Sequence, residues 1–142
     1  MASHSTSAQA QRDLSARVLT ARSEPVDAAA LEAALRRHLR GEIRFDNASR
    51  ALYATDGSNY RQVPIGIVAI RDTEDVLAAV TLCREYRAPL LARGGGTSLA
   101  GQCCNVAVVL DFSKYMARIL EIDPITKRCW CMCRGTCRDD LI

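Results

Sequence analysis

Apolar positions recur with helical spacing in the first third of the chain. Leu31, Leu35 and Leu39 are four residues apart, and Pro25 stands before them at a position that suits a first helical turn. Gly41 follows where helices commonly end. The pattern therefore predicts an amphipathic helix that begins at Pro25 and that Gly41 terminates.

Two further helices are predicted between this one and the middle of the chain. Residues 47–54 form a short one, and a turn over residues 56–59 follows it. The second is expected to be capped by Thr73, with Glu74 and Asp75 in its first turn. Its apolar face is predicted to comprise Val76, Val80 and Cys83.

Short apolar runs between these helices predict strands. The runs cover residues 65–70, 89–92, 106–110, 118–122 and 128–133, and a last helix is expected to begin at Thr136. The first two strands and the helix between them span ~30 residues, which is the length of a βαβ unit. We therefore expect these two strands to run parallel.

A glycine-rich loop lies between two of the predicted strands. It runs from Arg93 to Gln102 and contains three consecutive glycines, Gly94 to Gly96, with a fourth at Gly101. Glycine reaches positive φ at low cost and lets a ligand approach the main chain closely. Successive free N–H groups in such a loop form a concavity that suits a phosphate or diphosphate. Thr97 and Ser98 add hydroxyl donors, and Arg93 is predicted to place a positive charge at the mouth of the loop.

Two better-known glycine motifs do not fit this loop. A P-loop read from Gly96 has Gln102 where the phosphate-binding lysine belongs and Cys103 where a Ser or Thr would hold Mg²⁺. A dinucleotide fingerprint read from Gly94 has Leu99 at its third glycine position. The loop also joins a strand to a strand, which is not the Rossmann arrangement.

The order of these features resembles a known family of flavoproteins. The matching segments are Val63-Pro64 and the strand to Arg71, residues 72–76, residues 88–92, the loop 93–102, residues 108–113 and residues 118–123. Together they resemble the PCMH-type FAD-binding domain of the vanillyl-alcohol-oxidase superfamily, most of all the flavin subunits of D-lactate dehydrogenase and glycolate oxidase. The resemblance is strongest from Val63 to Asp123 and weaker back to about Leu31.

The resemblance implies an α/β (α+β) fold with a small mixed sheet, begun by the βαβ unit and flanked by helices. It also implies an FAD-linked oxidoreductase that acts on a 2-hydroxy acid of the D-lactate or glycolate type and passes electrons to an acceptor. The implied cofactor is FAD, held without a covalent bond because the loop offers no histidine or cysteine. The residues expected to bind it are Arg93, Gly94, Gly95, Gly96, Thr97, Ser98, Gly101 and Gln102.

The resemblance also bears on how the chain is organised. Composition predicts a flexible tail over residues 1–24, and the helical spacing predicts a helical lead-in over residues 25–62. The resemblance adds a first FAD-binding subdomain over residues 63–142 that is cut short. The groups that bind substrate would lie beyond such a fragment, so no catalytic residue is assigned and inactivity alone is expected. An apolar face left without its partner favours self-association. The alternative is a non-catalytic interaction module whose loop binds an anion or nothing.

Composition bears on the possible partners, the location and the metal content of the protein. A net charge of +3, with no aromatic residues among the basic ones at positions 36–40, argues against nucleic acid as a partner. No apolar run reaches the ~20 residues of a membrane span, and no export signal is found, so a cytoplasmic location with reduced thiols is expected.

Seven cysteines include a group at positions 129, 131, 133 and 137, but its spacing does not match common metal sites. We expect Cys129, Cys131 and Cys133 to be buried on one face of a strand, and no metal.

Asp111 and Ser113, directly after a predicted strand, have two interpretations. They could reach the cofactor cleft, or they could form a turn that caps the strand. Cys103 and Cys104 are likewise close enough to the loop to line that cleft, although a structural role is favoured.

Overall fold

The computed structural model describes residues 25–131, so the expected tail and the predicted helix from Thr136 lie outside the described residues. Within this range none of the helices is long and apolar enough to cross a membrane. The elements, in chain order, are α1 (Ala28–His38), β1 (Glu42–Arg44), α2 (Asn47–Leu52), β2 (Gly66–Ala69), α3 (Thr73–Glu85), β3 (Leu90–Arg93), β4 (Val108–Asp111), β5 (Ile119–Asp123) and β6 (Arg128–Cys131).

Four of the strands form a mixed sheet in the order β1-β2-β4-β3. β1 is antiparallel to β2, whereas β2 and β3 both run parallel to β4. The predicted βαβ unit is confirmed as β2, α3 and β3, with β4 inserted between its two strands. The predicted α/β fold with a small mixed sheet is therefore confirmed, and the carboxyl ends of β2, β4 and β3 lie at one edge.

The core forms where α1 and α3 pack against this sheet. Leu31 and Leu35 of α1 are fully buried, as the spacing of the leucines predicted. They share one cluster with Val68 of β2 and Leu110 of β4, which point to the same face of the sheet. Ile67 and Val109 alternate with these residues and are also buried, so both faces of the central strands are covered.

The two long helices begin at aspartates, and the sequence misplaced both starts. Asp27 caps α1 and accepts a hydrogen bond from the Ala30 N–H, so Pro25 stands before the cap instead of in the first turn. Asp72, not Thr73, caps α3. An N-cap oxygen satisfies an N–H group that the helix leaves unpaired, and aspartate does this at least as well as threonine.

The predicted apolar face of α3 is partly wrong. Cys83 is buried, but Val80 is 44% exposed. The buried positions of this helix are Asp75, Ala79, Leu82 and Cys83. The carboxylate of Asp75 therefore lies on the buried face at the start of α3. The sequence suggested only that it would interact favourably with the helix dipole.

That carboxylate ties the start of α3 to two other segments. Asp75 is 2% exposed, and its two oxygens accept hydrogen bonds from the main-chain N–H groups of Arg40 at 2.8 Å and Arg71 at 3.0 Å. Each N–H donates to a separate oxygen, so the buried charge is compensated by hydrogen bonds. Asp75 thus fixes the chain after α1 and the chain after β2 to the same helix end.

The strand β1 was not predicted from the sequence. It contains three residues and pairs through Glu42↔Ala69 and Arg44↔Ile67. Gly41, which was expected to terminate α1, lies three residues after the end of that helix. A Cβ at Gly41 would come within 2.3 Å of the Ala69 carbonyl oxygen, so this glycine allows the chain to approach β2 closely.

β5 and β6 form a separate two-stranded antiparallel sheet. The strands were predicted, but the burial of their cysteines was wrong, because Cys129 and Cys131 are both exposed. Cys133 lies outside the described residues. Within residues 25–131 no second layer packs on this hairpin, so both of its faces are exposed to solvent.

Candidate functional site

The glycine loop leaves the sheet at the edge where its parallel strands end. Arg93 is the last residue of β3 and pairs in register with Asp111, the last residue of β4. Asp111 is 4% exposed and accepts hydrogen bonds from the Ser113 N–H at 2.7 Å and from the Tyr53 hydroxyl at 2.5 Å. The predicted capping turn is therefore present.

Two glycines of the loop have a backbone conformation that other residues rarely adopt. Gly96 has a φ of +68° and Gly101 a φ of +77°. Gly95 has no positive φ, and the nearest atom to a Cβ placed there is Thr97 Cγ2 at 3.7 Å. A substitution would therefore be strained at Gly96 and Gly101, and not at Gly95.

The loop also carries a row of main-chain N–H donors that are unused within the described part of the chain. From Gly94 to Leu99, none of the N–H groups donates to an acceptor within residues 25–131. Gly95, Thr97 and Leu99 are exposed, and Gly94, Gly96 and Ser98 are half-buried. Exposed, consecutive donors of this kind are what an anion-binding concavity requires.

The side chain of Arg93 is turned toward the protein and not to the mouth of the loop. Its Nη1 donates to the carbonyls of Tyr53 at 3.2 Å and Cys103 at 3.0 Å, and its Nη2 donates to the carbonyl of Thr55 at 2.8 Å. The guanidinium also lies over the Tyr53 ring, 5.1 Å from its centroid. The predicted position of this charge was wrong, and its hydrogen bonds hold the protein's own main chain.

A second loop, which the sequence indicated only as a turn, packs against the first. The Gly57 N–H donates to the Gly96 carbonyl at 2.9 Å. A Cβ at Gly57 would lie 3.1 Å from the Ser98 carbonyl oxygen, so the absence of a side chain permits this packing. The turn signal Asp56-Gly57 was visible in the sequence, but its docking partner was not.

Asp56 joins the two loops by its carboxylate. One oxygen accepts hydrogen bonds from the Ser58 hydroxyl at 2.5 Å and the Ser58 N–H at 2.9 Å, and the other accepts from the Cys103 N–H at 3.2 Å. These bonds, above all that from the Ser58 hydroxyl, lower the pKa of Asp56 from its ordinary value. The carboxylate is therefore charged at neutral pH and engaged in holding the loops.

The far end of the glycine loop is closed by its own side chains. Gln102 Oε1 accepts hydrogen bonds from the Ser98 hydroxyl and from the Ala100 N–H. The ring of Tyr60 lies against Gly101, where a Cβ would come within 2.7 Å of Tyr60 Cδ2. Thus Ser98, Gln102 and Gly101, three residues predicted to bind the cofactor, also determine the shape of the loop.

The two cysteines after the loop occupy different environments. Cys104 is buried, its Sγ contacts the Tyr60 carbonyl at 3.8 Å, and burial is the main cause that raises the pKa of its thiol. Cys103 is half-buried, and its main chain is bound by Asp56 and Arg93. Both residues therefore contribute to the packing beneath the loop.

Known proteins match the segment of this chain that contains the glycine loop. The sequence profile of a family described as "FAD binding domain" matches residues 64–133. The chain is 39% identical over 114 residues to D-2-hydroxyglutarate dehydrogenase of Pseudomonas putida, a match that covers 78% of this chain and 11% of that protein. It is 40% identical over 88 residues to glycolate oxidase subunit GlcD of Bacillus subtilis, covering 58% of this chain and 18% of the subunit. The chain thus spans less than a fifth of the length of these two relatives.

A solved structure shares the fold. The chain superimposes on p-cresol methylhydroxylase with a TM-score of 0.58 and 22% identity, covering 68% of this chain and 20% of that one. The glycine loop lies inside the segment that the family profile matches. The chain belongs, through this segment, to the PCMH-type FAD-binding domain family of the vanillyl-alcohol-oxidase superfamily.

Proposed function

We propose that this chain supplies the diphosphate-binding part of an FAD-dependent oxidoreductase that acts on 2-hydroxy acids. The observation that carries the proposal is the row of N–H groups from Gly94 to Leu99, none of which has an acceptor within residues 25–131. The substrate class rests on the matched relatives, whose names refer to D-2-hydroxyglutarate and glycolate.

The residues of the loop fit an FAD diphosphate. The amides of Gly94 to Ser98 would hold its oxygens, and the exposed Thr97 adds a hydroxyl donor. Because Gly94 and Gly95 carry no side chain, the diphosphate can approach the main chain closely. Ser98, Gly101 and Gln102 would keep the loop in this shape, and Arg93 would support it from beneath.

FAD, when bound, supplies the two-electron chemistry, and the protein supplies binding and orientation. Non-covalent binding is part of the proposal, because residues 93–102 contain no histidine or cysteine. A cytoplasmic location belongs to the same proposal and rests on the sequence alone.

The polar groups around the loop are engaged in structure, which supports the expectation that this chain alone does not turn over a hydroxy acid. The carboxylates of Asp56 and Asp111 accept hydrogen bonds from the main chain, and the Tyr53 hydroxyl donates to Asp111. A general base must be within reach of the proton that it removes. Oxidation of D-lactate or glycolate by the purified chain, coupled to a dye and lost in Gly95→Val, would contradict this part of the proposal.

Chemical-shift mapping of the ¹⁵N-labelled chain tests the binding site. Addition of FAD should shift the amides of residues 94–99, and inorganic diphosphate should shift the same amides more weakly. Gly95→Val should weaken both effects, because a β-branched side chain blocks close approach to the main chain. Ala29→Val, at an exposed position of α1 outside the loop, is the control and should leave FAD binding unchanged.

The alternative function, a non-catalytic anion-binding module, predicts a different result. In that case FAD and inorganic diphosphate would shift the loop amides equally, and the flavin ring would add no affinity. Absence of shifts at millimolar FAD, in a chain shown to be folded, would overturn the proposed site.

A further inference from the structure

Arg93 contacts both ends of the glycine loop and the segment beneath it. It begins the loop, and its side chain binds the carbonyl of Cys103 just beyond the loop's end. The same guanidinium binds the carbonyls of Tyr53 and Thr55 from the segment after α2. The planar guanidinium makes these three bonds from two nitrogens whose donors point in fixed directions.

The loop itself is built around this guanidinium. A Cβ at Gly96 would come within 2.4 Å of Arg93 Nη2, so the main chain at Gly96 rests directly on the charged group. The positive φ of Gly96 gives the chain the bend that this contact needs. On the other side of the bend, the Gly96 carbonyl accepts the hydrogen bond of the Gly57 N–H.

The main-chain carbonyl groups and the main-chain N–H groups of this region differ in their hydrogen bonding. The carbonyl oxygens of Tyr53, Thr55, Gly96 and Cys103 are bound within the protein. The N–H groups from Gly94 to Leu99 have no acceptor among the described residues. Carbonyl oxygens repel an anion and N–H groups attract it, so this arrangement makes the exposed side of the loop a donor surface.

We infer that Arg93 is a positioning residue, which sets the shape of the anion-binding loop and does not contact the anion. The inference rests on the proposed function for the identity of the anion as a diphosphate. It replaces the expectation that Arg93 binds the cofactor directly. We expect lysine not to substitute for arginine in this role, because its three donors leave a single nitrogen, whereas the three carbonyls are bound by two.

Two variants and a control separate positioning from direct contact. Arg93→Lys keeps the charge and loses the planar fork, whereas Arg93→Met loses both. Arg61→Met is the control, because it removes a nearby exposed positive charge that makes no side-chain hydrogen bond within residues 25–131. Each chain is tested for amide hydrogen exchange without FAD, and then for FAD affinity at several salt concentrations.

The exchange readout uses two amides that bind across the loops and one that closes the end of the glycine loop. The N–H groups of Gly57, Cys103 and Cys104 donate to Gly96, Asp56 and Gly101. Their exchange should accelerate by roughly tenfold or more in both Arg93 variants, because the loops separate. The amides of Ile70 and Tyr86, which are bonded within the core, should keep their wild-type rates. A general loss of stability would accelerate both groups and would overturn a local positioning role.

The affinity readout decides whether the charge touches the ligand. We expect Arg93→Lys to lose FAD affinity as fully as Arg93→Met, with the salt dependence of the remaining binding unchanged. Retained affinity in Arg93→Lys, together with a shallower salt dependence in Arg93→Met and unchanged exchange, would show direct contact and overturn the inference. If wild type binds no FAD, the proposed function fails, whereas the exchange rates still decide whether Arg93 positions the loop.

Discussion

The Tyr53 hydroxyl donates a hydrogen bond to the carboxylate of Asp111 at 2.5 Å, and this bond joins the end of α2 to the end of β4. Asp111 is 4% exposed, so water compensates its charge poorly and the protein's donors must do so. Burial, with the hydrogen bond to Asp111 as a second cause, raises the pKa of Tyr53 to about 12. The same tyrosine carries the Arg93 guanidinium over its ring, so it connects the sheet edge to the base of the glycine loop.

Replacement of Tyr53 by phenylalanine should destabilise the protein. It leaves the buried carboxylate with the Ser113 N–H as its remaining donor among the residues described, and the expected cost is about 1–3 kcal/mol. Urea unfolding measures the loss. Tyr86→Phe is the control, because the Tyr86 hydroxyl makes no hydrogen bond within the described range. This variant should leave the free energy of unfolding nearly unchanged.

The raised pKa of Tyr53 also predicts how stability depends on pH. The protonated hydroxyl is favoured in the folded state, so its contribution is fully present below pH 10, the ordinary value, and is lost as pH rises toward 12. The difference in unfolding free energy between wild type and Tyr53→Phe should therefore shrink over this interval. A constant difference from pH 8 to 12 would contradict the assignment.

The neighbouring glycines Gly95 and Gly96 should respond differently to alanine. Gly96→Ala places a Cβ against the Arg93 guanidinium at a positive φ, and we expect a loss of about 1–3 kcal/mol. Gly95→Ala makes only an ordinary contact with Thr97 Cγ2, at 3.7 Å, and should change stability by less than about 0.5 kcal/mol. Thermal and urea unfolding of the two variants check this, and equal losses would refute the loop conformation.

Glu42 should contribute to stability in an acid-sensitive manner. Its carboxylate accepts hydrogen bonds from Lys114, Tyr115 and Arg44, and these bonds, led by that from Lys114, lower its pKa from 4.5 to about 2. The charged form is favoured in the folded state, so the contribution is present above pH 4.5 and is lost as pH falls toward 2.

The test compares wild type with Glu42→Gln. The variant should be less stable at pH 7 by about 1 kcal/mol, since these groups are half-buried or exposed, and the gap should shrink as pH falls toward 2. Glu85→Gln is the control, because Glu85 forms no ion pair within the described part of the chain. A gap that persists at pH 2 would show that charge on Glu42 is not its cause.

The β5–β6 hairpin should drive self-association of the chain. Pairing of Ile122 with Cys129, and of Ile119 with Cys131, places four apolar side chains on one face, and all four residues are exposed. Trp130 is 66% exposed on the opposite face. Exposed apolar patches and open strand edges both favour contact between chains.

Light scattering coupled to sizing chromatography, under reducing conditions, measures this association. Wild type should elute as dimers or larger species, and Ile122→Lys should shift it toward monomer. Leu77→Lys changes a residue that is 65% exposed on α3 and should have no such effect. A sharp wild-type monomer at high concentration would disprove the prediction.

The sequence by itself determined the features that depend on neighbours along the chain. The spacing of Leu31, Leu35 and Leu39 is sufficient for a helix with one buried face, and short β-branched runs are sufficient for the central strands. The three consecutive glycines after Arg93 likewise indicate an exposed turn of main chain, whatever surrounds it. Each of these signals acts over a few residues, where backbone geometry and periodicity are decisive.

Only the tertiary structure decided the features that depend on segments far apart in sequence. β1 is a strand because it pairs with β2, and its three residues carry no periodic signal of their own. The Arg93 guanidinium is directed inward because the carbonyls of Tyr53 and Thr55, about forty residues earlier, are placed beneath it. The exposure of Cys129 follows from the lack of a second layer on its hairpin within residues 25–131. Hydrogen bonds and burial of this kind arise only when the chain has folded, because the groups that satisfy them are supplied by distant segments.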